Sequence, residues 1–124
     1  MPKLTTFLLA FFLCIGAGRL QAQNMQNTAW KFYVDALNDT LTMHIGVDTS
    51  RVTSSSGELI VRSIYLFNKD TIKMRDIDGQ YPCPDGVGIY QFKIDGDIMT
   101  FTLVNDPCDN RSNSLRGVKF KKAQ

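Results

Sequence analysis

The chain has 124 residues, of which 44% are hydrophobic and 21% charged, and its formal net charge is +2. This length and composition fit one globular domain and exclude a disordered polymer or a collagen-like repeat. Lys3 and Arg19 lie in a leader-like segment, and without them 12 basic residues balance 12 acidic ones. A chain without net charge has no long-range attraction to phosphates, so nucleic acid is not predicted as a partner.

Residues 1–22 have the three parts of a secretory signal peptide. Lys3 is followed by an apolar run, and small residues precede Ala22, the predicted last residue before cleavage. The apolar run is shorter than the roughly 20 residues that span a bilayer, and bulky residues before Cys14 argue against a lipidated cysteine. We therefore predict a signal peptide at 1–22, a mature domain at 23–124, no membrane span, and a secreted or periplasmic protein.

Two cysteines, Cys83 and Cys108, remain in the predicted mature domain. An even number of cysteines in an exported chain favours a disulfide. The alternatives are free thiols and a zinc site, but zinc needs about four ligands and the only histidine, His44, is distant in the sequence. Aspartates between residues 76 and 85 suggest a cation site, yet turn chemistry explains them and their spacing matches no calcium motif. We predict no metal and no other cofactor.

The mature segment is predicted to be all-β, because hydrophobic residues recur with period two and no segment keeps a helical period over three turns. The seven predicted strands lie, in chain order, at 30–34, 41–47, 58–67, 71–77, 87–94, 97–104 and 115–122. Residues 49–57 are rich in Ser and Thr and are predicted to be a loop, with a short strand around Val52 as the alternative. Two prolines make 79–86 a connection, and 106–111 is predicted to be a polar corner.

The hairpin of the fifth and sixth strands is predicted to turn at Asp95-Gly96, a pair that supplies the positive φ angles of a type I′ turn. A two-residue loop there predicts three facing pairs: Ile94 with Asp97, Phe92 with Met99, and Tyr90 with Phe101. A register shifted by one residue would mix the two faces of the sheet. Extended outward, the predicted register brings Cys83 opposite Cys108, so that a disulfide closes the open end of the hairpin.

Seven strands and a doubtful eighth in up-and-down order can form a small closed barrel or a sandwich. We favour an antiparallel β-barrel, because pairing the first strand with the last leaves no open sheet edge. Methionines and aromatic residues at inward positions could line an apolar cavity or fill the core. The candidate ligand-binding residues are Met43, Tyr65, Met74, Tyr90, Phe92, Met99 and Phe101.

Three features resemble small secreted bacterial lipocalin-like proteins of the calycin group. They are Trp30-Lys31 in the first strand, Gly88-Ile89-Tyr90 before Asp95-Gly96-Asp97, and Asp106-Pro107-Cys108 followed by Arg111 and a final strand. The resemblance implies a barrel that binds a small apolar ligand, and a cation–π contact between Trp30 and Arg111, with Arg116 as the alternative. Thr28 stands where this group usually has glycine, and 23–124 is short for a ligand-enclosing barrel.

The sequence therefore favours a binding protein for a small apolar ligand. An enzyme is not predicted, because a nucleophile needs a base within hydrogen-bond reach and His44 is the only imidazole. The alternative is a non-enzymatic interaction module with a filled core, acting as an envelope component or a secreted inhibitor, whose loops contact a protein. These loops are predicted at 49–57, 79–86 and 106–114.

Overall fold

The computed structural model describes residues 25–123, which form eight strands, one α-helix and one turn of 3₁₀ helix. The strands are β1 (Thr28–Val34), β2 (Asp39–Ile45), β3 (Thr49–Thr53), β4 (Leu59–Asn68), β5 (Thr71–Asp78), β6 (Gly88–Asp95), β7 (Ile98–Asn105) and β8 (Phe120–Lys122). The helix α1 spans Asp109–Leu115, and the 3₁₀ turn spans Asp35–Leu37. The predicted signal peptide, residues 1–22, and Cys14 lie outside the described residues.

The eight strands form a closed antiparallel barrel in which each strand pairs with its neighbours in sequence. The barrel closes where β1 pairs with β8, with Trp30 opposite Lys122 and Lys31 opposite Lys121. The predicted all-β barrel and the pairing of its first and last strands are therefore confirmed. Closure gives every strand a paired neighbour on both sides, with β8 contributing two pairs to β1 and two to β7, and the architecture is consistent with a calycin-like barrel.

Period-two alternation decides which side chains enter the barrel. In β1, Trp30, Phe32 and Val34 are buried while Lys31 and Tyr33 are exposed. Because successive side chains of a strand point to opposite faces, one such strand contributes three large apolar side chains to the interior. The same alternation in the other strands builds one continuous hydrophobic core.

Residues 49–53 are a strand, so the predicted loop over 49–57 is wrong for its first half and the alternative of a strand around Val52 is correct. β3 pairs with β2 on one side and with β4 on the other. Ser50 and Val52 are buried, and Arg51 between them is exposed. The small inward Ser50 hid the alternation, since a hydroxyl at a core position is uncommon. The remaining turn runs from 54 to 58.

The second half of the polar corner predicted over 106–111 belongs to a helix, and the last strand is shorter than predicted. Asp109–Leu115 forms α1, with Arg111, Ser112 and Leu115 buried. Arg111 and Leu115 are four residues apart and so lie on one face of the helix. A helix is predicted from apolar residues at helical spacing. Because the inward residue Arg111 is charged, this segment lacks the apolar pattern and the helix was not predicted. Only Phe120–Lys122 continues as β8.

The register of the β6–β7 hairpin differs from the prediction by two residues. Asp95 pairs with Ile98, Ile94 with Met99 and Phe92 with Phe101, so the loop is Gly96-Asp97. A shift of two keeps every side chain on its predicted face, and the alternation therefore cannot detect it. The turn decides the register: Gly96 has a φ of 59°, and a two-residue turn with glycine as its first central residue suits the twist of a hairpin.

The predicted disulfide between Cys83 and Cys108 is confirmed, with a Cα–Cα distance of 6.2 Å. The register from which this pairing was extended was wrong by two residues, and the ladder ends at Ile89 and Asn105, before it reaches the cysteines. Both cysteines lie beyond this last pair, in segments that have left the sheet. The disulfide joins these two segments across the end of the barrel.

Replacing Gly79 with alanine should destabilise the fold by about 2–3 kcal/mol. Gly79 has a φ of 126°, and a Cβ there would lie 2.5 Å from the Ile60 carbonyl oxygen and 2.7 Å from Val61 Cα. Gly57→Ala is the matched control, since Gly57 has a φ of 88° but open space around it. That control should cost only about 1 kcal/mol. Urea unfolding measures both, and equal losses would contradict the close approach at Gly79.

Candidate functional site

One end of the barrel contains a cavity of about 620 Å³. Its volume lies within the range of roughly 300–1,000 Å³ typical of small-molecule sites. The 3₁₀ turn, loop 79–86 and α1 border its mouth, because Leu37, Tyr81 and Asn113 are among the lining residues. Most of the lining is apolar and comes from five strands and the helix: Phe32, Val34, Leu41, Met43, Val52, Ile60, Val61, Tyr65, Met74 and Leu115.

The structure divides the seven predicted ligand-binding residues into two groups. Met43, Tyr65 and Met74 line the cavity. The other four are buried but lie outside it, and they fill the barrel interior with ring contacts between Tyr90 and Phe101 at 5.9 Å and between Phe67 and Phe92 at 6.1 Å. The four are Tyr90, Phe92, Met99 and Phe101. Half of the barrel is therefore a filled core and the other half contains the cavity.

One wall of the cavity is polar and is formed by Ser63 of β4, Asp76 of β5 and Arg111 of α1. Ser63 Oγ donates a hydrogen bond to Asp76 Oδ1 over 2.8 Å. Asp76 Oδ1 lies 3.5 Å from Arg111 Nη1, and both side chains are almost completely buried, with 5% and 6% of their surfaces exposed. We call these three residues the polar wall. They are the only ion-paired group among the described lining residues.

The predicted candidate site did not include the polar wall. Ser63 lies two residues before Tyr65, and Asp76 lies two residues after Met74, so alternation puts both on the inner face of the barrel. This period-two spacing is the signal that could have identified them. Arg111 has no such signal, because its inward position depends on the helix α1, which the pattern did not predict.

Asp106 holds the guanidinium of Arg111 in place. Arg111 Nε donates to Asp106 Oδ2, and Arg111 Nη2 donates to Asp106 Oδ1, both over 2.8 Å. Tyr90 also donates its hydroxyl proton to Asp106 Oδ2. Burial by itself would raise the pKa of Asp106, but hydrogen bonds from Arg111, Tyr90 and the Cys108 N–H outweigh it and lower that pKa. Asp106 is therefore an ionised, bidentate partner of Arg111.

The third nitrogen of this guanidinium, Nη1 of Arg111, is buried and has no hydrogen-bond partner among the described residues. The carboxylate oxygen Asp76 Oδ1 lies 3.5 Å from Nη1, which is longer than a normal N–H···O hydrogen bond. A buried N–H without an acceptor is unfavourable. Arg111 is also one of the residues that line the cavity, so the side chain that contains this unpaired donor borders the space for a bound molecule.

The disulfide connects the two acids on either side of Arg111. The Cys83 N–H donates to Asp76 Oδ2 over 2.7 Å, and the Cys108 N–H donates to Asp106 Oδ1 over 2.9 Å. Each half-cystine thus orients one carboxylate, and the S–S bond joins the two backbones. The disulfide both links two loop segments and holds the charged groups of the cavity in position.

Two tyrosines beside the polar wall stay neutral at physiological pH. Burial is the main reason why the pKa of Tyr65 is raised, to about 12. Burial, followed by the hydrogen bond to Asp106, raises the pKa of Tyr90 as well. Tyr65 directs its hydroxyl to Met43 Sδ at 3.7 Å, so it presents a neutral polar atom within an apolar part of the cavity.

Trp30 and Arg111, between which the resemblance implies a cation–π contact, have different polar partners in the structure. Trp30 Nε1 donates to Thr28 Oγ1 over 2.9 Å, while Arg111 pairs with Asp106 and Asp76. Trp30 lies where β1 meets β8, and Arg111 lies beyond the last pair of β6 and β7. Both side chains are buried, with 1% and 7% of the residue exposed.

The remaining candidate positions lie at the mouth or on the outside of the barrel. Loops 79–86 and 106–114 both contribute lining residues to the cavity, whereas 49–57 consists of β3 and the turn after it. His44 lies outside the cavity with Nε2 at 3.4 Å from Thr53 Oγ1. No helix in residues 25–123 is long and apolar enough to cross a membrane.

Comparisons with known proteins do not assign this chain to a family. No protein-family model, no curated protein and no solved structure matches it. The function must therefore be argued from the cavity itself.

Proposed function

We propose that this protein is an exported, lipocalin-like binding protein that takes up a small, mainly apolar molecule in the barrel cavity and catalyses no reaction. The observation that carries the proposal is the cavity of about 620 Å³ with an apolar lining and one polar wall. A filled core would leave no such space, because interiors normally pack at crystal-like density. The disulfide supports export, since such bonds persist mainly in oxidising compartments.

The chemistry of the lining favours binding over catalysis. Arg111 of the lining is paired with Asp76 and, behind the lining, with Asp106. Burial is the main reason why the pKa values of Tyr65 in the lining and of Tyr90 behind it are raised. Neither a nucleophile next to a base nor a base near neutral pKa is formed by these groups. Met43 and Met74 add flexible side chains that adapt to different ligand shapes.

The purified protein should bind the neutral apolar fluorophore N-phenylnaphthylamine in a saturable, one-to-one manner. The emission of this probe rises in apolar surroundings, so a titration measures the affinity directly. Leu41→Trp should abolish most of this binding, because Leu41 is inward-facing and lines the cavity, and an indole there would occupy the space of the probe.

Leu66→Trp is the matched control, since Leu66 lies on the outer face of β4 and is 67% exposed. It should bind the probe as the unaltered protein does. Cooperative thermal unfolding of both variants would show that they are folded. Equal binding by both variants would place the probe outside the cavity, and absence of saturable binding by the unaltered protein would favour an interaction module that contacts a protein through its loops.

A further inference from the structure

We infer that the polar wall selects a ligand with a neutral hydroxyl group, and that it discriminates against the corresponding carboxylate and ammonium compounds. This inference rests on the proposed function, because it names the chemical class of the molecule in that same cavity. It is carried by the buried, unpartnered Nη1 of Arg111, a residue that lines the cavity, and by the oxygen of Asp76 that lies 3.5 Å from Nη1.

The donor at Arg111 Nη1 requires an acceptor on the ligand. The other two nitrogens of this guanidinium already donate to Asp106, and the side chain is too buried for solvent to replace a partner freely, with 6% exposed. A ligand oxygen that accepts from Nη1 gains a charge-assisted hydrogen bond. An ammonium group has no acceptor to offer, so it leaves this donor unpaired.

The charges around Nη1 argue against an anionic ligand group. Asp106 already neutralises Arg111 through a bidentate pair, and Asp76 adds a second acid on the other side of the guanidinium. A carboxylate bound to Nη1 would lie within a few ångströms of the Asp76 oxygens, where water is largely excluded. Like charges that close repel strongly in such surroundings.

A hydroxyl group can form hydrogen bonds with both Arg111 Nη1 and Asp76 Oδ1. Its oxygen accepts from Arg111 Nη1, and its proton can be donated to Asp76 Oδ1, which already accepts from Ser63 over 2.8 Å. A carboxylate oxygen has a second lone-pair site for such a bond. The separation of 3.5 Å between Nη1 and Oδ1 allows one oxygen atom to lie within hydrogen-bond distance of both. The rest of the ligand then extends along the apolar lining.

The test is competition of decyl compounds with bound N-phenylnaphthylamine. Decanol, decanoate and decylammonium are straight chains of ten carbon atoms that end in different polar groups. We expect decanol to displace the probe at a concentration roughly tenfold lower than decanoate, because only the carboxylate meets the repulsion of Asp76. Decylammonium should also need a higher concentration than decanol to displace the probe. Decanoate or decylammonium that competes as well as decanol would overturn the inference.

Decanoate should displace the probe from the Asp76→Asn variant at a concentration closer to that of decanol, because this substitution removes the charge that repels the carboxylate. Asp78→Asn is the matched control on the same strand, where Asp78 pairs with Arg62 at the exposed surface, and it should leave the ratio of the two concentrations unchanged. A folded Asp76→Asn variant with an unchanged ratio would contradict the role of Asp76. If that variant does not fold, the inference is still tested by the concentrations at which the three compounds displace the probe from the unaltered protein.

The two proposals fail in different ways. If the probe binds, Leu41→Trp abolishes binding and the order of the decyl compounds differs from the expected one, the inference about the hydroxyl group is wrong and the proposed binding function stands. If neither the probe nor any decyl compound binds, the proposed function itself is wrong.

Discussion

Replacing Asp106 with asparagine is expected to lower the free energy of unfolding by about 3–5 kcal/mol. The two carboxylate oxygens of Asp106 accept four hydrogen bonds, two from Arg111, one from Tyr90 and one from the Cys108 N–H. An asparagine would keep one oxygen and turn an amide NH₂ toward these donors. It would also leave the buried Arg111 charge with only Asp76 nearby. Urea unfolding at neutral pH measures the loss.

Asp78→Asn is the matched control for this prediction. It removes the carboxylate of an Asp–Arg pair of the same type, but Asp78 and Arg62 are 47% and 50% exposed. Exposed ion pairs are screened by water and salt and contribute little. The effect of Asp78→Asn should therefore be much smaller than that of Asp106→Asn, and comparable losses in the two variants would mean that burial does not set the strength of the Asp106 pair.

The unaltered protein should also lose stability in acid because of Asp106. Its pKa in the folded state lies below the ordinary value of 3.8, so the folded state binds fewer protons than the unfolded chain. The stabilisation is fully present above about pH 4 and is lost as the pH falls through 3.8 and below. Asp106→Asn lacks this titration, so its stability should fall less between pH 5 and pH 2, which equilibrium unfolding at several pH values measures.

The closed barrel could be predicted because a single physical signal specifies it. Alternating residues such as Trp30, Phe32 and Val34 identify which face of a strand is buried. A chain of such strands with short turns can hide both of its outer edges by pairing β1 with β8. The pairing of Cys83 with Cys108 was also predictable, because an exported domain with two cysteines has only one intramolecular disulfide available.

The extent of the cavity could not be predicted, because alternation reports the face of a residue and not its depth along the barrel axis. Tyr65 and Tyr90 are both inward and both buried, yet only Tyr65 lines the cavity. Which end is filled depends on three-dimensional contacts such as the ring pair Phe101–Phe120 at 5.1 Å. These contacts join residues far apart in sequence, so no local pattern contains them.

The polar wall illustrates a second limit, since a buried charge contradicts the rule used to find the core. Arg111 and Asp106 are inside the protein only because each satisfies the other. A prediction that assigns charged residues to the surface therefore places both residues in an exposed corner.

The two-residue error in the β6–β7 register has a different origin. A shift of two residues keeps each side chain on the same face of the sheet, so only the backbone geometry at Gly96 distinguishes the two registers.

Replacing Cys83 and Cys108 together with serine should lower the free energy of unfolding by about 3–4 kcal/mol. The disulfide joins residues separated by 25 positions, and this is the stabilisation that the chain-entropy model assigns to a loop of that size. For a domain of this size, the melting temperature should fall by roughly 10–20 °C. The unaltered protein in excess dithiothreitol should approach the same melting temperature, while the double variant should not respond to the reductant.

The hydrogen bonds from the two half-cystines predict that this effect is more than chain entropy. If the disulfide also keeps Asp76 and Asp106 oriented toward Arg111, Asp106→Asn should cost less in the absence of the disulfide than in its presence. A double-mutant cycle that combines Asp106→Asn with the two serine substitutions should show a coupling of about 0.5 kcal/mol or more. Strict additivity would instead mean that the disulfide restricts only the unfolded chain, and that Arg111 and Asp106 hold their geometry without it.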